Sequence, residues 1–206
     1  MNRALPFALV LAALVPAGTV LAGIDIYSSG WIEAVRSSYP ASSITRRDFF
    51  RVFQGIAHGT PLSNGFLQNF GFELFSDSGA GFSRILSPYD GIRADDNTAF
   101  FELRFTEPVI AAWVSSTNCR PFEAWLGNTL VSTLPPGSGG NCGLIASDPS
   151  YRFDRLRFLT SGILYPQYVA GLNSAVGYVT VPAPGAAVVM VFAECTSRRW
   201  RRRVAR

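Results

Sequence analysis

The sequence predicts an all-β fold, an antiparallel β-sandwich, and three observations carry that prediction. Between Arg46 and Thr180 apolar and polar residues alternate with period two. Turn-forming residues interrupt the alternation roughly every 8 to 12 positions, the spacing of short strands in a sandwich. No heptad pattern and no solenoid repeat competes with it. The chain has 206 residues, enough for one principal domain with a sizeable core.

The serine-rich run Tyr27–Ser43 reads as a linker, although Trp31–Pro40 inside it is patterned as a short helix. Strands are expected at Phe49–Phe53, Gly71–Phe75 and Gly81–Leu86. The clearest stretch is TAFFELRFTEPVIAAWVSS, from Thr98 to Ser116. Phe101, Leu103 and Phe105 fall on one face of it, Glu102 and Arg104 on the other. Pro108 is expected to break this run, because proline donates no ladder hydrogen bond. Beyond it Val109, Ala111 and Trp113 alternate with Ile110, Ala112 and Val114, which suits a strand covered on both faces.

PFEAWLGNTLVSTLPP is a hairpin by its own chemistry. Gly127-Asn128 forms a two-residue turn of the kind that needs positive φ. The turn pairs Leu126 with Thr129 and Trp125 with Leu130, and places Phe122, Ala124, Leu126 and Val131 on one face. Strands at Cys142–Ala146, Phe153–Leu159 and Ser174–Val181 complete the set. In Phe153–Leu159, Arg155 and Arg157 are expected outward, Leu156 and Phe158 inward.

Both ends of the chain carry signals of another kind. Residues 1–22 have a basic start at Arg3 and an apolar stretch from Leu5 to Pro16. Modest side chains at Val20 and Ala22 precede Gly23, as at a signal-peptidase cut between Ala22 and Gly23. Pro16, Gly18 and Thr19 interrupt the apolar stretch before the roughly 20 residues that a membrane span needs. At the other end, residues 181–206 open with 13 uncharged residues, Val181 to Ala193. Glu194 follows, and then the cluster Arg198, Arg199, Arg201, Arg202 and Arg203. The tail is short for a permanent anchor, but its arginines resist translocation.

The net charge of +4 comes entirely from these ends. Every basic residue is an arginine; six of them lie in the tail and Arg3 in the leader. That leaves eleven arginines against thirteen acids in the body, so no basic face is expected there and nucleic acid is not an expected partner. The expected organisation is a signal peptide at 1–22, an N-terminal linker segment at 23–45, a β-sandwich at 46–180 and a tail at 181–206.

The tail order Pro182-Ala183-Pro184, apolar run and arginine cluster resembles the PEP-CTERM sorting tail. Ala183 stands where that motif has its namesake glutamate, and Glu194 interrupts the apolar segment. The resemblance implies an exported protein of a biofilm-forming Gram-negative bacterium. Its processing partners would be signal peptidase and an exosortase-type enzyme, with transient membrane contact through the tail. The body resembles a recurrent class of these exported proteins through VFQGIAHGTPLSNGF, FFELRFTEPVIAAWV, the hairpin and CGLIASDPSYRFDRLRFLT, in that order. That class implies a jelly-roll sandwich, similar to galactose-binding-like and carbohydrate-binding modules. Leu172-Asn173 stands where the class often has Asp-Asn, so no metal or sugar role tied to that aspartate carries over.

Candidate chemistry is sparse. Cys119 just before the hairpin and Cys142 just after its return strand are expected to form a disulfide in an exported protein, leaving Cys195 in the tail. Asp90, Asp95, Asp96 and Asn97 gather hard oxygen ligands in one loop, a possible structural calcium site without EF-hand spacing. No other cofactor is expected. His58, the single histidine, lies in a turn; no G-x-S-x-G accompanies it, and one histidine does not make a zinc site. Aromatic residues are 13% of the chain, so Trp113, Trp125, Tyr151, Tyr165 and Tyr168 are the candidates for stacking on sugars.

The reading that combines these features is a non-enzymatic, exported sandwich at the cell surface or in the extracellular matrix, with no catalytic residues. A carbohydrate-binding module for exopolysaccharide is the first alternative, and would need aromatic rings exposed together. A secreted hydrolase is the second, and would need His58 beside a serine or two facing carboxylates.

Overall fold

The computed structural model describes residues 23–86, 90–95, 98–117, 121–134, 140–159 and 171–181. The elements are β1 (Ile24–Tyr27), α1 (Trp31–Ser38), β2 (Thr45–Asp48), α2 (Phe49–Val52), β3 (Pro61–Leu62), α3 (Asn64–Gln68), β4 (Phe72–Ser76), β5 (Phe82–Ile85), β6 (Gly91–Ala94), β7 (Phe100–Thr117), β8 (Pro121–Leu126), β9 (Thr129–Thr133), β10 (Gly140–Ala146), β11 (Phe153–Leu159) and β12 (Gly171–Thr180). The fold is mostly β, and every described strand pairing is antiparallel. One path runs β3-β5-β6-β12-β7-β11-β8-β9, with β4 and β10 also on β7, β1 on β10 and β2 on β12.

β7 is the spine. Its first half lies between β4 and β11, its second half between β10 and β12. Pro108 does not end the strand as expected. The β11 ladder slips between Arg155, opposite Arg104, and Phe153, opposite Val109, so the proline falls where no ladder donor is required. Its carbonyl still accepts from the Val181 N–H at 3.3 Å.

A second slip, between Val179 opposite Ala111 and Thr180 opposite Val109, changes which residues of β7 point inward. Phe101, Leu103, Phe105 and Val109 enter the main core before it, Ala112 and Val114 after it. Ile110 and Ala111 turn the other way, into a second apolar cluster. The strand also bends there. Tyr178 is paired with Ala112, yet its ring centroid lies 5.5 Å from that of Phe105. Straight strand would put seven residues roughly 20 Å apart. The two halves of β7 therefore wall one core, filled by Phe72, Phe101, Phe153 and Phe158, with Phe101 and Phe158 stacked at 4.5 Å.

Two expectations need correction. Phe49–Phe53 is not a strand; α2 occupies Phe49–Val52. Phe49 and Phe53, four residues apart, are both fully buried and stack at 5.3 Å, while Arg51 is exposed. A strand would have put Arg51 on the buried face with them. Nor is 23–45 a linker: β1 pairs with β10 in register Ile24↔Ala146, and α1 packs on the sheet. β12 begins at Gly171, three residues before the expected start, with a bulge between Leu172 and Val176 in its ladder with β7. The hairpin forms as read, Leu126 opposite Thr129 and Trp125 opposite Leu130. Gly127 has φ +55° and Asn128 does not share a positive φ, which is the II′ pattern.

Candidate functional site

Two regions of the sheet turn a face away from the main core. Over the first lies α1. Trp31 and Val35, four residues apart, are its buried stripe, and Glu33 and Arg36 face water. The Trp31 ring settles onto Gly143 and Gly177, and a Cβ on Gly143 would lie 2.4 Å from it. Its indole N–H donates to the Leu144 carbonyl at 3.1 Å. The Tyr39 hydroxyl donates to the Ala146 carbonyl at 2.5 Å and anchors the chain after the helix. Burial, with the nearby charges of Asp148 and Asp25, raises the Tyr39 pKa above its ordinary value. A small pocket of about 210 Å³ beside α1 is lined by Trp31, Ile32, Ile44, Arg46 and Trp113.

The second face, on β4, β7, β11, β8 and β9, has no helix over it among the described residues. Two rows of side chains cross it. One runs Phe75, Glu102, Arg157, Glu123, Thr133; the next runs Glu73, Arg104, Arg155, Trp125, Leu130. Period-two alternation, with a register shift in the β8–β9 ladder that brings Leu130 and Thr133 to the same side, puts all of them opposite the core side, as expected for Glu102, Arg104, Arg155 and Arg157.

Glu102 departs from that expectation in one respect: it is only 1% exposed. Arg104 donates to its Oε2 from Nε and Nη2 at 2.9 and 2.7 Å. Arg157 donates to its Oε1 from Nε and Nη2 at 2.9 and 2.8 Å, and Arg155 reaches Oε2 at 3.5 Å. Burial alone pushes the Glu102 carboxyl up, but the hydrogen bonds from Arg104 and Arg157 and the charge of Arg155 outweigh it. The net pKa lies below the ordinary carboxylate value, so Glu102 stays ionised and cannot serve as a general acid near neutral pH.

The guanidinium groups also stack on rings: Arg104 over Phe75 at 4.0 Å, Arg157 over Phe100 at 4.5 Å, and both Arg155 and Arg157 over Trp125 at 5.2 Å. The Trp125 indole N–H and Arg157 Nη1 share Glu123 Oε2, at 2.9 and 3.3 Å. At one end the face opens into a groove of about 410 Å³, lined by Glu73, Arg104, Gly127, Asn128, Asp154 and Arg155. Asp154 accepts the Gly127 N–H with both carboxylate oxygens, at 3.1 and 2.9 Å, and Arg155 donates to the Gly127 carbonyl, so β11 holds the hairpin turn in place.

The residues singled out from sequence do not gather into one site. Asp90 is paired with Arg84 at 2.9 Å, and Asp95 accepts the Ser83 hydroxyl. These two aspartates flank β6, so their Cα atoms are roughly 16 Å apart along extended chain, beyond one calcium shell with its ligands at about 2.4 Å. Asp96 and Asn97 lie outside the described residues. His58 is an exposed turn residue whose Nδ1 accepts from the Leu86 N–H at 3.4 Å, with no serine or carboxylate among its described partners. Cys142 is buried in β10 opposite Val114, and Cys119 lies outside the described residues. So do Ala22, Pro182, Ala183, Pro184, Tyr165, Tyr168 and the arginine cluster.

The aromatic candidates are divided. Trp113 sits on the α1 side beneath Arg46, at 5.7 Å, and Trp125 on the uncovered face. Tyr151 packs on Gly23. These three described rings do not share one face. Among the described residues no group of three or more histidine, cysteine, aspartate or glutamate side chains is placed to hold a metal, and no helix is long and apolar enough to cross a membrane. No known family model matches the chain, and neither do any curated proteins or solved structures.

Proposed function

We propose that this chain is an exported, non-enzymatic β-sandwich of jelly-roll, galactose-binding-like type, displayed at the surface or in the extracellular matrix of a Gram-negative bacterium. The observation that carries the reading is the match between folded elements and end signals. β1 begins one residue after Gly23, whose carbonyl accepts the Ser147 N–H at 2.7 Å, and β12 ends at Thr180, just before the tail. The elements between need neither the leader nor the Pro182–Arg206 segment to complete their described ladders. In this reading the leader directs export and the tail is a temporary address. Its 13 uncharged residues pause in the membrane, the arginines hold the end on the cytoplasmic side, and an exosortase-type enzyme cuts near Pro182–Gly185. A binding rather than catalytic role is supported by the second sheet face, where a carboxylate held ionised and three arginines are spent on one another.

Intact-mass measurement on protein recovered from the cell surface tests the reading. The expected species begins near Gly23 and lacks Arg198–Arg206. Deleting Pro182–Arg206 should leave the fold intact and move the protein to another compartment. A mature protein that keeps the full tail, or a deletion that leaves its location unchanged, overturns the sorting role.

A further inference from the structure

We propose that the pocket beside α1 is the seat of this chain's own tail, and that the apolar run Ala186–Ala193 folds back into it while the tail is still attached. The inference rests on the reading that the tail stays on the chain until it is processed. Its test uses purified full chain and no processing enzyme, so it can fail without touching the sorting role.

Ile32, Ile44 and Trp113 line the pocket, and all three pack on the second apolar cluster while remaining only partly buried. At about 210 Å³ the pocket is smaller than a typical small-molecule site and suits a large apolar side chain. Val181, the last described residue, already packs on the same cluster, with its N–H on the Pro108 carbonyl at 3.3 Å. The chain therefore leaves the sheet with an apolar side chain on the side that α1 covers. Gly23, where the leader joins, lies instead against Tyr151.

The tail has the reach and the composition to return. Trp113 is opposite Gly177, four residues before Val181, which is about 13 Å along extended strand. Pro184-Gly185 is a turn sequence. The run Ala186–Ala193 that follows spans about 26 Å when extended, more than the return requires. It carries no charge, and Met190 and Phe192 are its largest side chains. A tethered segment acts at an effective concentration of about millimolar, so a pocket too weak for a free peptide can hold this one.

The charge after the run also has a partner here. Glu194 is costly in a bilayer. Arg46 lines the pocket with its side chain 54% exposed; its Nε and Nη2 lie on Asp48 Oδ1 at 2.9 and 2.8 Å, and its Nη1 bonds no described residue. An ion pair between exposed groups adds little affinity, so Arg46 sets the direction of the docked run rather than its strength. Docking shields the run from other chains, membrane entry has to compete with the pocket for it, and cutting near Pro182–Gly185 frees the pocket.

Limited proteolysis of the full chain with thermolysin, which cuts before large apolar residues, reads the docking as the rate of cleavage between Val188 and Phe192. Cleavage of a segment that must first open follows its open population. Ile32→Asp puts a charge into the pocket and should speed that cleavage about tenfold. Arg46→Glu should speed it about threefold, and adding Glu194→Arg to it should restore the wild-type rate. Arg46→Glu leaves the apolar lining in place, so the test stands even where Ile32→Asp melts early. Dilution of the wild-type chain should leave its rate constant unchanged. Equal cleavage in wild type, Ile32→Asp and Arg46→Glu would show a tail that is not held. Protection that fades on dilution would assign the pocket to the tail of another copy. Either result overturns the proposal.

Discussion

The two faces turned from the main core can be compared row by row, because each is crossed by a row of five residues. On the covered face the row is Arg46, Gly177, Trp113, Gly143, Tyr27; on the uncovered face it is Glu73, Arg104, Arg155, Trp125, Leu130. The first contains two glycines, and Trp31 of α1 occupies the space they leave. The second has no small residue, and long charged side chains lie over one another and over the rings. A face with glycines takes its cover from elsewhere in the chain. A face of arginines, glutamates and aromatics covers itself, burying the arginine stems while their charged ends reach each other and water.

The largest effect that would break this comparison is expected on the covered side. Trp31→Ala should cost about 3–5 kcal/mol in chemical denaturation, since a nearly buried ring leaves a cavity over two glycines. A cost below about 1 kcal/mol would mean that α1 is an ornament on a sheet already complete. On the uncovered side Glu102→Ala should cost about 3 kcal/mol, by leaving three arginines facing one another without their shared carboxylate. The arginines are partly exposed, so water limits the loss. Gly143→Ala sharpens the same contrast. It should cost about 1–3 kcal/mol because the new Cβ meets the Trp31 ring, and combining it with Trp31→Ala should recover most of its own contribution.

Acid titration separates the two faces further. The Glu102 pKa is lower in the folded protein than in the unfolded chain, where a glutamate titrates near about 4.3. Its stabilisation is therefore fully present above that value and is lost as the pH falls through the lower folded pKa. Glu102→Gln should flatten that part of the acid stability curve, whereas Trp31 variants should shift the curve down without changing its slope. An unchanged slope in Glu102→Gln would show that the arginines do not act through this carboxylate. The smallest effect belongs to Trp125→Phe, which keeps a ring under Arg155 and Arg157 but loses the bond to Glu123; about 1 kcal/mol is expected.

Much of the fold is legible in the sequence alone. The hairpin register, the strand Phe153–Leu159, and the outward placement of Glu102, Arg104, Arg155 and Arg157 all follow from alternation and one glycine turn. The failures share a cause. Phe49–Phe53 has apolar ends and a charged centre, a pattern that serves one short helical turn as well as a strand; only packing against Phe72, whose ring lies 6.4 Å from Phe49, selects the helix. Tyr27–Ser43 reads as linker because its serines dominate the composition, while Trp31 and Val35 are the buried stripe that docks the helix and Tyr39 anchors its end. Pro108 looked like a stop because the slip in its partner strand lies 45 residues or more further along the chain.

The candidate site divides along the same line. Alternation is a property of nearest neighbours: once a segment is extended, successive side chains must point to opposite sides, so which residues face out could be read locally. Which residue lies across from which depends on register between strands far apart in the sequence and on the bend in β7. Glu102 and Arg157 are separated by 55 positions, and Arg104 and Arg155 come from two strands. The sequence therefore shows an outward glutamate and three outward arginines. Only the assembled sheet brings their charges within hydrogen-bonding distance, buries the carboxylate that joins them, and leaves the 3.9 Å gap between Arg104 and Glu73 in the groove.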